Sequence, residues 1–255
     1  MKYILFILLF FTYTAGAQRT IILQANCADT VVVEQPEVPL YDTATIAFEN
    51  TLADSGCVLT TTQRLALDTL VRDLKGRTSS YNTTGIYFWS KIIAAYPMVG
   101  TCALSFRLNL KNPIDNSSAF RTSVMNGNNY RYNDTGIIMD GGAVMNTHIN
   151  VATHINAASL HFSFYSRNNT SGTTTVAMGA LSTSPSPSAY LYMNLGEDFR
   201  AGTNSPAALF PYTTTRAMFI GTRVGTTLTA YRNGVQVGAG TNSGGVPAGL
   251  DIALM

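Results

Sequence analysis

The passage from Thr60 to Phe120 limits the fold of this chain more than any other stretch. It opens with an amphipathic run, TTTQRLALDTLVRDLKG, in which apolar residues recur at helical spacing. These residues are Leu67, Leu70, Val71 and Leu74. The pattern predicts a helix over Thr60–Lys75, because one of the three threonines at 60–62 can cap its N-terminus and Gly76 can end it.

A second short helix and a strand follow in the same passage. Phe88–Tyr96 has an apolar face of its own, and Pro97 ends it because the residue before a proline is disfavoured in helical conformation. The next run, Cys102–Leu110, alternates apolar and polar residues, which is typical of a half-buried β-strand. The passage therefore predicts a helix pair within residues 60–100 that leads directly into a β domain.

Beyond residue 101 the sequence predicts strands and turns. Short runs rich in β-branched and aromatic residues are separated by clusters of Gly, Pro, Asn and Ser. The predicted strands are 103–110, 120–125, 137–139, 160–165, 175–181, 190–195, 216–224, 228–232, 235–237 and 250–254. Asn233-Gly234 suits a type I′ hairpin, because both central positions of that turn need a positive φ. The spacing indicates a mainly β fold over 101–255, either a sandwich or a jelly roll.

The composition argues against several classes of protein. Hydrophobic residues make up 46% of the 255 residues, so the chain can bury a core and is not expected to be disordered. Charged residues are only 12% and the net charge is +2, without clustered Lys or Arg, so no nucleic-acid partner is expected. Residues 18–59, interrupted by Pro36 and Pro39, are interpreted as an extended N-terminal lead or a small cap without a core of its own.

The N-terminus has the pattern of a secretory signal peptide over residues 1–17. Lys2 supplies the positive charge, Tyr3–Tyr13 is the apolar run, and Ala15-Gly16-Ala17 is the cleavage pattern. The apolar run is short for a membrane span, so no stable span is expected after cleavage; an uncleaved N-terminal anchor is the alternative. We therefore expect a secreted, periplasmic or cell-surface protein.

The chain has three cysteines, and the strand pattern distinguishes one of them from the other two. Cys102 falls on the apolar face of the predicted strand Cys102–Leu110 and is therefore expected to be a buried free thiol. Cys27 and Cys57 remain, and in an oxidising compartment they could form a disulfide that staples the N-terminal segment. No spacing of Cys and His suggests zinc.

Six stretches of the sequence carry a resemblance to a known family. They read RLALDTLVRDLKG, IYFWSKIIAAYPMVGTCALSFRLNLKNP, AFR, SLHFSFYSRN, YLYMNL and LTAYRNGVQV. Together they resemble phage and prophage tail or minor structural proteins, common in genomes of the Bacteroidetes group, in which a helix pair precedes a LamG-like domain. The resemblance covers roughly 60–255 and implies a concanavalin A-like jelly-roll sandwich, with a virion as the alternative location. Such proteins usually continue with a final strand and a helical tail, so we expect a truncation after Met255.

No catalytic site is expected, although sandwiches of this kind are related in fold to some glycoside hydrolases. Retaining glycosidases need two carboxylates about 5 Å apart. Beyond Glu49 the only glutamate is Glu197, which with Asp198 is predicted to lie in the loop after Gly196. Because of the relation in fold, a secreted polysaccharide-degrading hydrolase is kept as the alternative interpretation.

No metal or cofactor site is predicted from motifs. The three histidines, His148, His154 and His161, show no HExxH spacing and are expected at the surface. The resemblance leaves room for Ca²⁺, since LamG-like domains sometimes bind it through loop carboxylates. By residue type alone the candidate ligands are Asp134, Asp140 and Asp198.

The best candidate for ligand binding is a run of aromatic and polar residues just after a turn. It comprises Tyr130, Arg131, Tyr132, Asn133 and Asp134. Sugars can stack their C–H faces on aromatic rings while polar side chains bond their hydroxyls. The leading hypothesis is thus a non-enzymatic structural or adhesion module, on the cell surface or a virion, whose partners are glycans or other surface and tail proteins.

Overall fold

The computed structural model describes residues 41–76, 88–126, 130–133, 136–139, 143–156, 158–167, 175–180, 188–193, 198–202, 208–209, 216–245 and 249–254. Within these residues the architecture is mainly β, with three antiparallel sheets and four short helices. This confirms the mainly β class. The predicted signal peptide, residues 1–17, and Cys27 lie outside the described residues.

The helices and strands follow one another in a simple order. The helices are α1 (Thr43–Asp54), α2 (Thr61–Leu74), α3 (Phe88–Lys91) and α4 (Val151–His154). Short 3₁₀ turns occupy Leu104–Phe106 and Ser117–Ala119. The first strands are β1 (Ser123–Asn126), β2 (Tyr130–Asn133), β3 (Gly136–Met139), β4 (Val144–Asn150), β5 (Ser159–Ser166), β6 (Thr175–Ala180) and β7 (Ser188–Met193). The remaining strands are β8 (Asp198–Gly202), β9 (Ala208–Leu209), β10 (Ala217–Val224), β11 (Thr227–Arg232), β12 (Val235–Thr241) and β13 (Asp251–Leu254).

Helix α2 confirms the helix predicted over Thr60–Lys75. Thr60 is its N-cap: the Thr60 hydroxyl accepts from the amide of Gln63, and the Gln63 side chain accepts from the amide of Thr60. This reciprocal pair satisfies two amides that a helix N-terminus otherwise leaves without partners. Among the three candidate threonines, the structure therefore selects Thr60.

Helix α1 corrects the interpretation of residues 18–59 as extended. The carboxylate of Asp42 caps α1 by accepting from the amide of Ala44 at 2.9 Å, and Phe48 and Leu52, one turn apart, are almost fully buried. Asp68 of α2 accepts from the amide of Asp42 at 2.6 Å, and Lys75 pairs with the Asp42 carboxylate at 2.5 Å. The two helices are thus joined at Asp42, a link between distant residues that no local pattern in the sequence reveals.

The helices build a core of their own, here called the helical core. Its buried members are Phe48, Leu52, Cys57, Leu59, Leu67, Leu70, Val71, Leu74, Ile92, Ala95, Leu108 and Leu110. Met218 of β10 packs against the helical core, which therefore lies beside the four-stranded sheet.

The predictions for 88–110 are wrong in part. Helix α3 ends at Lys91, five residues before the predicted end, and the predicted strand Cys102–Leu110 contains a 3₁₀ turn instead. The reason is burial on two sides. Within this segment Tyr96 and Phe106 belong to the core between the sheets, whereas Leu108 belongs to the helical core. We call residues 92–110 the joining segment.

The disulfide links Cys57 to Cys102, with a Cα–Cα distance of 6.0 Å, and not Cys27 to Cys57 as predicted. Cys102 was expected to be a free thiol on the apolar face of a strand. Because residues around Cys102 form a turn and not a strand, the alternation that assigned it to a core face does not apply there. The bond ties the end of the α1–α2 connection to the joining segment.

The strands form two larger sheets and one hairpin. The seven-stranded sheet has the order β1-β4-β13-β6-β7-β8-β9, the four-stranded sheet β12-β11-β10-β5, and β2 pairs with β3 alone. The Asn233-Gly234 turn between β11 and β12 has positive φ at both residues, 49° and 81°, which confirms the predicted hairpin.

The two larger sheets share one hydrophobic core. The rings of Phe162 in β5 and Phe199 in β8 meet edge to face at 6.4 Å. Arg223 of β10 is 3% exposed, and its Nη1 donates to the carbonyls of Ala201 in β8, at 2.8 Å, and of Gly244, at 2.7 Å. Apolar packing and a buried guanidinium therefore hold the sheets together. None of the helices in the described ranges is both long and apolar enough to cross a membrane.

Candidate functional site

The β2–β3 hairpin contains the predicted ligand-binding run. Tyr130 pairs with Met139 and Tyr132 with Ile137 in antiparallel register. Since side chains alternate along a strand, Tyr130 and Tyr132 share one face of the hairpin and Arg131 lies on the other. The local sequence favours a strand here because tyrosines suit a pleated, half-buried surface.

The two tyrosines form a pair of nearly parallel rings, which we call the tyrosine platform. Their ring centroids are 6.5 Å apart and their planes differ by 29°. Phe106 lies against Tyr132 at a centroid distance of 5.5 Å. Phe106 is 1% exposed and belongs to the core between the sheets, whereas Tyr132 is 40% exposed. The platform is therefore supported from below by the core and open to solvent at Tyr132.

Arg107 follows Phe106 directly in the chain, and its pKa is affected by Arg121; these two residues are here called the arginine pair. Nε of Arg107 donates to the carbonyl of Thr122 at 2.8 Å, and the amide of Thr122 donates to the carbonyl of Arg107 at 2.9 Å. Nε of Arg121 lies 2.8 Å from Oδ1 of Asp115. The two-way bond to Thr122 fixes Arg107 next to the segment that carries Arg121.

The groups around Arg107 shift its pKa in both directions. Burial lowers the pKa of Arg107, and the like charge of Arg121 lowers it further. Tyr130 and Asp115 act in the opposite direction and raise the pKa. Arg107 thus lies within electrostatic reach of the platform, of the second arginine and of one carboxylate, and as an arginine it stays protonated at neutral pH.

This arrangement suits a polar ligand with flat apolar faces. The rings offer stacking surfaces, and the guanidinium groups offer directed N–H donors for hydroxyl, carboxylate or sulfate oxygens. Within the described residues, no three His, Cys, Asp or Glu side chains come together to hold a metal ion.

The structure brings part of the predicted run together. Tyr130, Arg131, Tyr132 and Asn133 lie on β2, and Arg131 is exposed on the face opposite to the platform. Asp134 lies outside the described residues, as does Asp140 among the candidate calcium ligands. Binding of a glycan by this run stays a prediction.

Sequence reasoning missed Phe106, which supports the platform, and Arg107 next to it, together with Asp115 and Arg121, whose charges act on Arg107. Phe106 and Arg107 were assigned to the two faces of a strand that does not form. Their contacts with β2 or with Arg121 join residues that are distant in sequence, and no motif marks them.

The remaining candidates are dispersed over the fold. His148 has a φ of 57° and its Nε2 lies 2.8 Å from the Ser123 hydroxyl, whereas the His154 ring meets Phe120 at 4.9 Å. Burial lowers the pKa of His161 to about 4, so its expected surface position is wrong. Asp198 begins β8 and does not lie in a loop, and Glu197 is outside the described residues.

Comparisons with known proteins add no identification. The sequence matches no protein-family model. No curated protein matches it, and no solved structure matches the fold.

Proposed function

We propose that this protein is a non-enzymatic glycan-binding module, with the tyrosine platform as its binding surface. The observation that supports this proposal best is the pair of nearly parallel rings of Tyr130 and Tyr132, backed by the buried Phe106, which Arg107 follows in the chain. Aromatic surface combined with a few directed polar groups is the usual composition of a small-ligand site.

The proposal includes a finer description of the fold, a concanavalin A-like, LamG-like jelly roll preceded by the helices. Two antiparallel sheets with a common core support it, together with the resemblance of the 60–120 passage to phage and prophage tail proteins. The predicted signal peptide favours a secreted or cell-surface module, and a virion is the alternative location. Binding of Ca²⁺ stays a prediction. No observation on the described residues favours the glycoside hydrolase.

A panel of immobilised polysaccharides tests the proposal directly. The full mature chain should be retained by at least one polymer, and Tyr132→Ala should weaken that binding about tenfold, because loss of one aromatic contact costs about 1 kcal/mol or somewhat more. Tyr231→Ala is the matched control, since Tyr231 is a partly buried tyrosine on β11 of the four-stranded sheet. Retention by none of the polymers, or equal losses in the two variants, would count against the platform.

A further inference from the structure

We propose that the ligand of the tyrosine platform is an anionic sugar, whose carboxylate or sulfate group is bound by Arg107 with Arg121 beside it. This inference rests on the proposed glycan-binding function and names its substrate class. Three features of the site support it: the fixed position of Arg107, the donors it has left over and the surplus of positive charge.

Arg107 is held in place and still has donors to offer. Its Nε is engaged by the carbonyl of Thr122 at 2.8 Å, and the backbone bond from Thr122 locks the same segment. Its terminal nitrogens, Nη1 and Nη2, make no hydrogen bond or ion pair with any of the described residues. A guanidinium anchored through Nε presents a planar edge, which matches the two oxygens of a carboxylate or sulfate.

The charges around Arg107 leave an excess of positive charge. Among the residues that the structure describes, Asp115 is the one carboxylate that affects the pKa of Arg107, and it is already paired with Arg121 at 2.8 Å. Asp115 is also 48% exposed, so water screens it. Two guanidinium groups therefore face one partly screened carboxylate, and an anionic ligand would relieve the repulsion between them.

The joining segment connects this charge to the stacking surface. Arg107 directly follows Phe106, whose ring centroid lies 5.5 Å from that of Tyr132 in the platform, and Tyr130 acts to raise the pKa of Arg107. A sugar ring on the platform would therefore carry its acidic substituent toward the arginine pair. A neutral sugar would use the platform alone and leave the charge of the arginine pair uncompensated.

The decisive experiment changes the ligand and leaves the protein intact. The full mature chain is titrated with polygalacturonate and with the same polymer after reduction of its carboxyl groups to alcohols. We expect about tenfold or more tighter binding of the acidic form, the discrimination of one charge-assisted contact. A sulfated galactan and its desulfated form run in parallel and distinguish carboxylate from sulfate as the preferred group.

Variants then assign the effect to the arginine pair. Arg107→Met should abolish the preference for the acidic polymer, and Arg107→Lys should retain only part of it, because lysine keeps the charge and loses the planar fork. Arg216→Met, at an exposed arginine just before β10, is the control and should bind as the wild type does. Thermal melts identify any variant that fails to fold. In that case the titrations of the wild-type protein with the acidic and neutral polymers decide whether the inference holds.

Each outcome either supports or overturns the inference. Equal binding of the acidic and neutral forms in both pairs of polymers would overturn it and leave the proposed glycan binding intact. Binding of neither form of any polymer would overturn the proposed function as well. Equally tight binding of poly-glutamate would assign the arginine pair to an acidic protein partner and would also overturn it.

Discussion

At the scale of single residues, Gly221 is a position with no room for a side chain. It lies in β10, where it pairs with Ala230 of β11 and Phe162 of β5. A Cβ atom built on Gly221 would lie 2.2 Å from Cδ2 of Phe199, which belongs to the opposite sheet. The Phe199 ring therefore rests directly on the glycine backbone, and the closeness of the two sheets depends on the absence of a side chain at this position.

Gly221→Ala should therefore destabilise the fold. The added methyl group must displace a fully buried ring, and overpacking of this kind costs about 1–3 kcal/mol. Denaturant unfolding measures the change in the free energy of unfolding. Gly245→Ala is the matched control: nothing lies within 4 Å of its added Cβ, so its stability should change by less than about 0.5 kcal/mol. Equal stability of the two variants would show that the sheets are not packed as closely as described.

At the scale of elements, the features that the sequence predicted correctly are those specified by neighbouring residues. Helix α2 has its apolar stripe and its capping box within one continuous stretch. The β11–β12 hairpin needs only the Asn233-Gly234 pair to define its turn. Both signals act over a few residues, so they do not depend on what the rest of the chain does.

The elements that were missed depend on distant parts of the chain. The alternation of Cys102–Leu110 results from a segment buried between two cores, which gives the same pattern as a strand with one buried face. Strand β4 was missed for a different reason. Its buried positions include Thr147, and its pairing with β13 is interrupted by a bulge that contains His148 in the left-handed region.

The Cys57–Cys102 disulfide gives a prediction at this scale. It closes a loop across a sequence separation of 45 residues, so the loss of chain entropy in the unfolded state should stabilise the fold by about 4 kcal/mol in the entropic model. The double variant Cys57→Ala/Cys102→Ala should lower the free energy of unfolding by an amount of that order. Denaturant unfolding with and without reductant measures it.

The same bond can be identified chemically. Peptide mapping of the unreduced protein, produced under oxidising conditions, should recover a cross-linked peptide that contains Cys57 and Cys102. Cys27→Ser is the control and should leave this peptide unchanged. A cross-link between Cys27 and Cys57 would instead support the pairing predicted from the sequence and contradict the structure.

At the scale of the whole molecule, the joining segment connects the helical core to the core between the sheets. Asn109, fully buried, is its central polar residue. The Asn109 Oδ1 atom accepts from the amides of Ala95 and Lys111, each at 3.0 Å, and Nδ2 donates to the carbonyl of Ala119 at 3.0 Å. One side chain thus binds three parts of the backbone that would otherwise have unsatisfied groups.

The same segment explains why the candidate site was only half predictable. Tyr130 and Tyr132 are adjacent on one strand, so a local pattern revealed them. Phe106 and Arg107 reach the site because the joining segment passes beneath the β2–β3 hairpin, and that path depends on burial between two cores. The part of the site that depends on tertiary structure is also the part that gives it charge.

The coupling of the two cores through Asn109 is testable. Asn109→Ala leaves two amides and one carbonyl without their partner, which should cost about 3 kcal/mol or more. Trp89, the only tryptophan of the chain, packs against the helical core and reports on it by fluorescence. Hydrogen exchange of the backbone amides of β10 and β11, measured as a function of denaturant concentration, reports on the sheets. In the wild type the two signals should change together, as expected for one cooperative unit. In Asn109→Ala the fluorescence transition should come at a lower denaturant concentration than the loss of amide protection in the sheets.

Asn112→Ala is the matched control for this experiment. Asn112 lies three residues further along the chain and is exposed. The free energy of unfolding of Asn112→Ala should therefore match that of the wild type within about 0.5 kcal/mol, and its two transitions should coincide. If Asn109→Ala unfolds at the wild-type midpoint, the buried amide does not stabilise the junction. If the two transitions are already separate in the wild type, the helical core and the sheets fold independently, and the joining segment is a linker with no structural coupling between them.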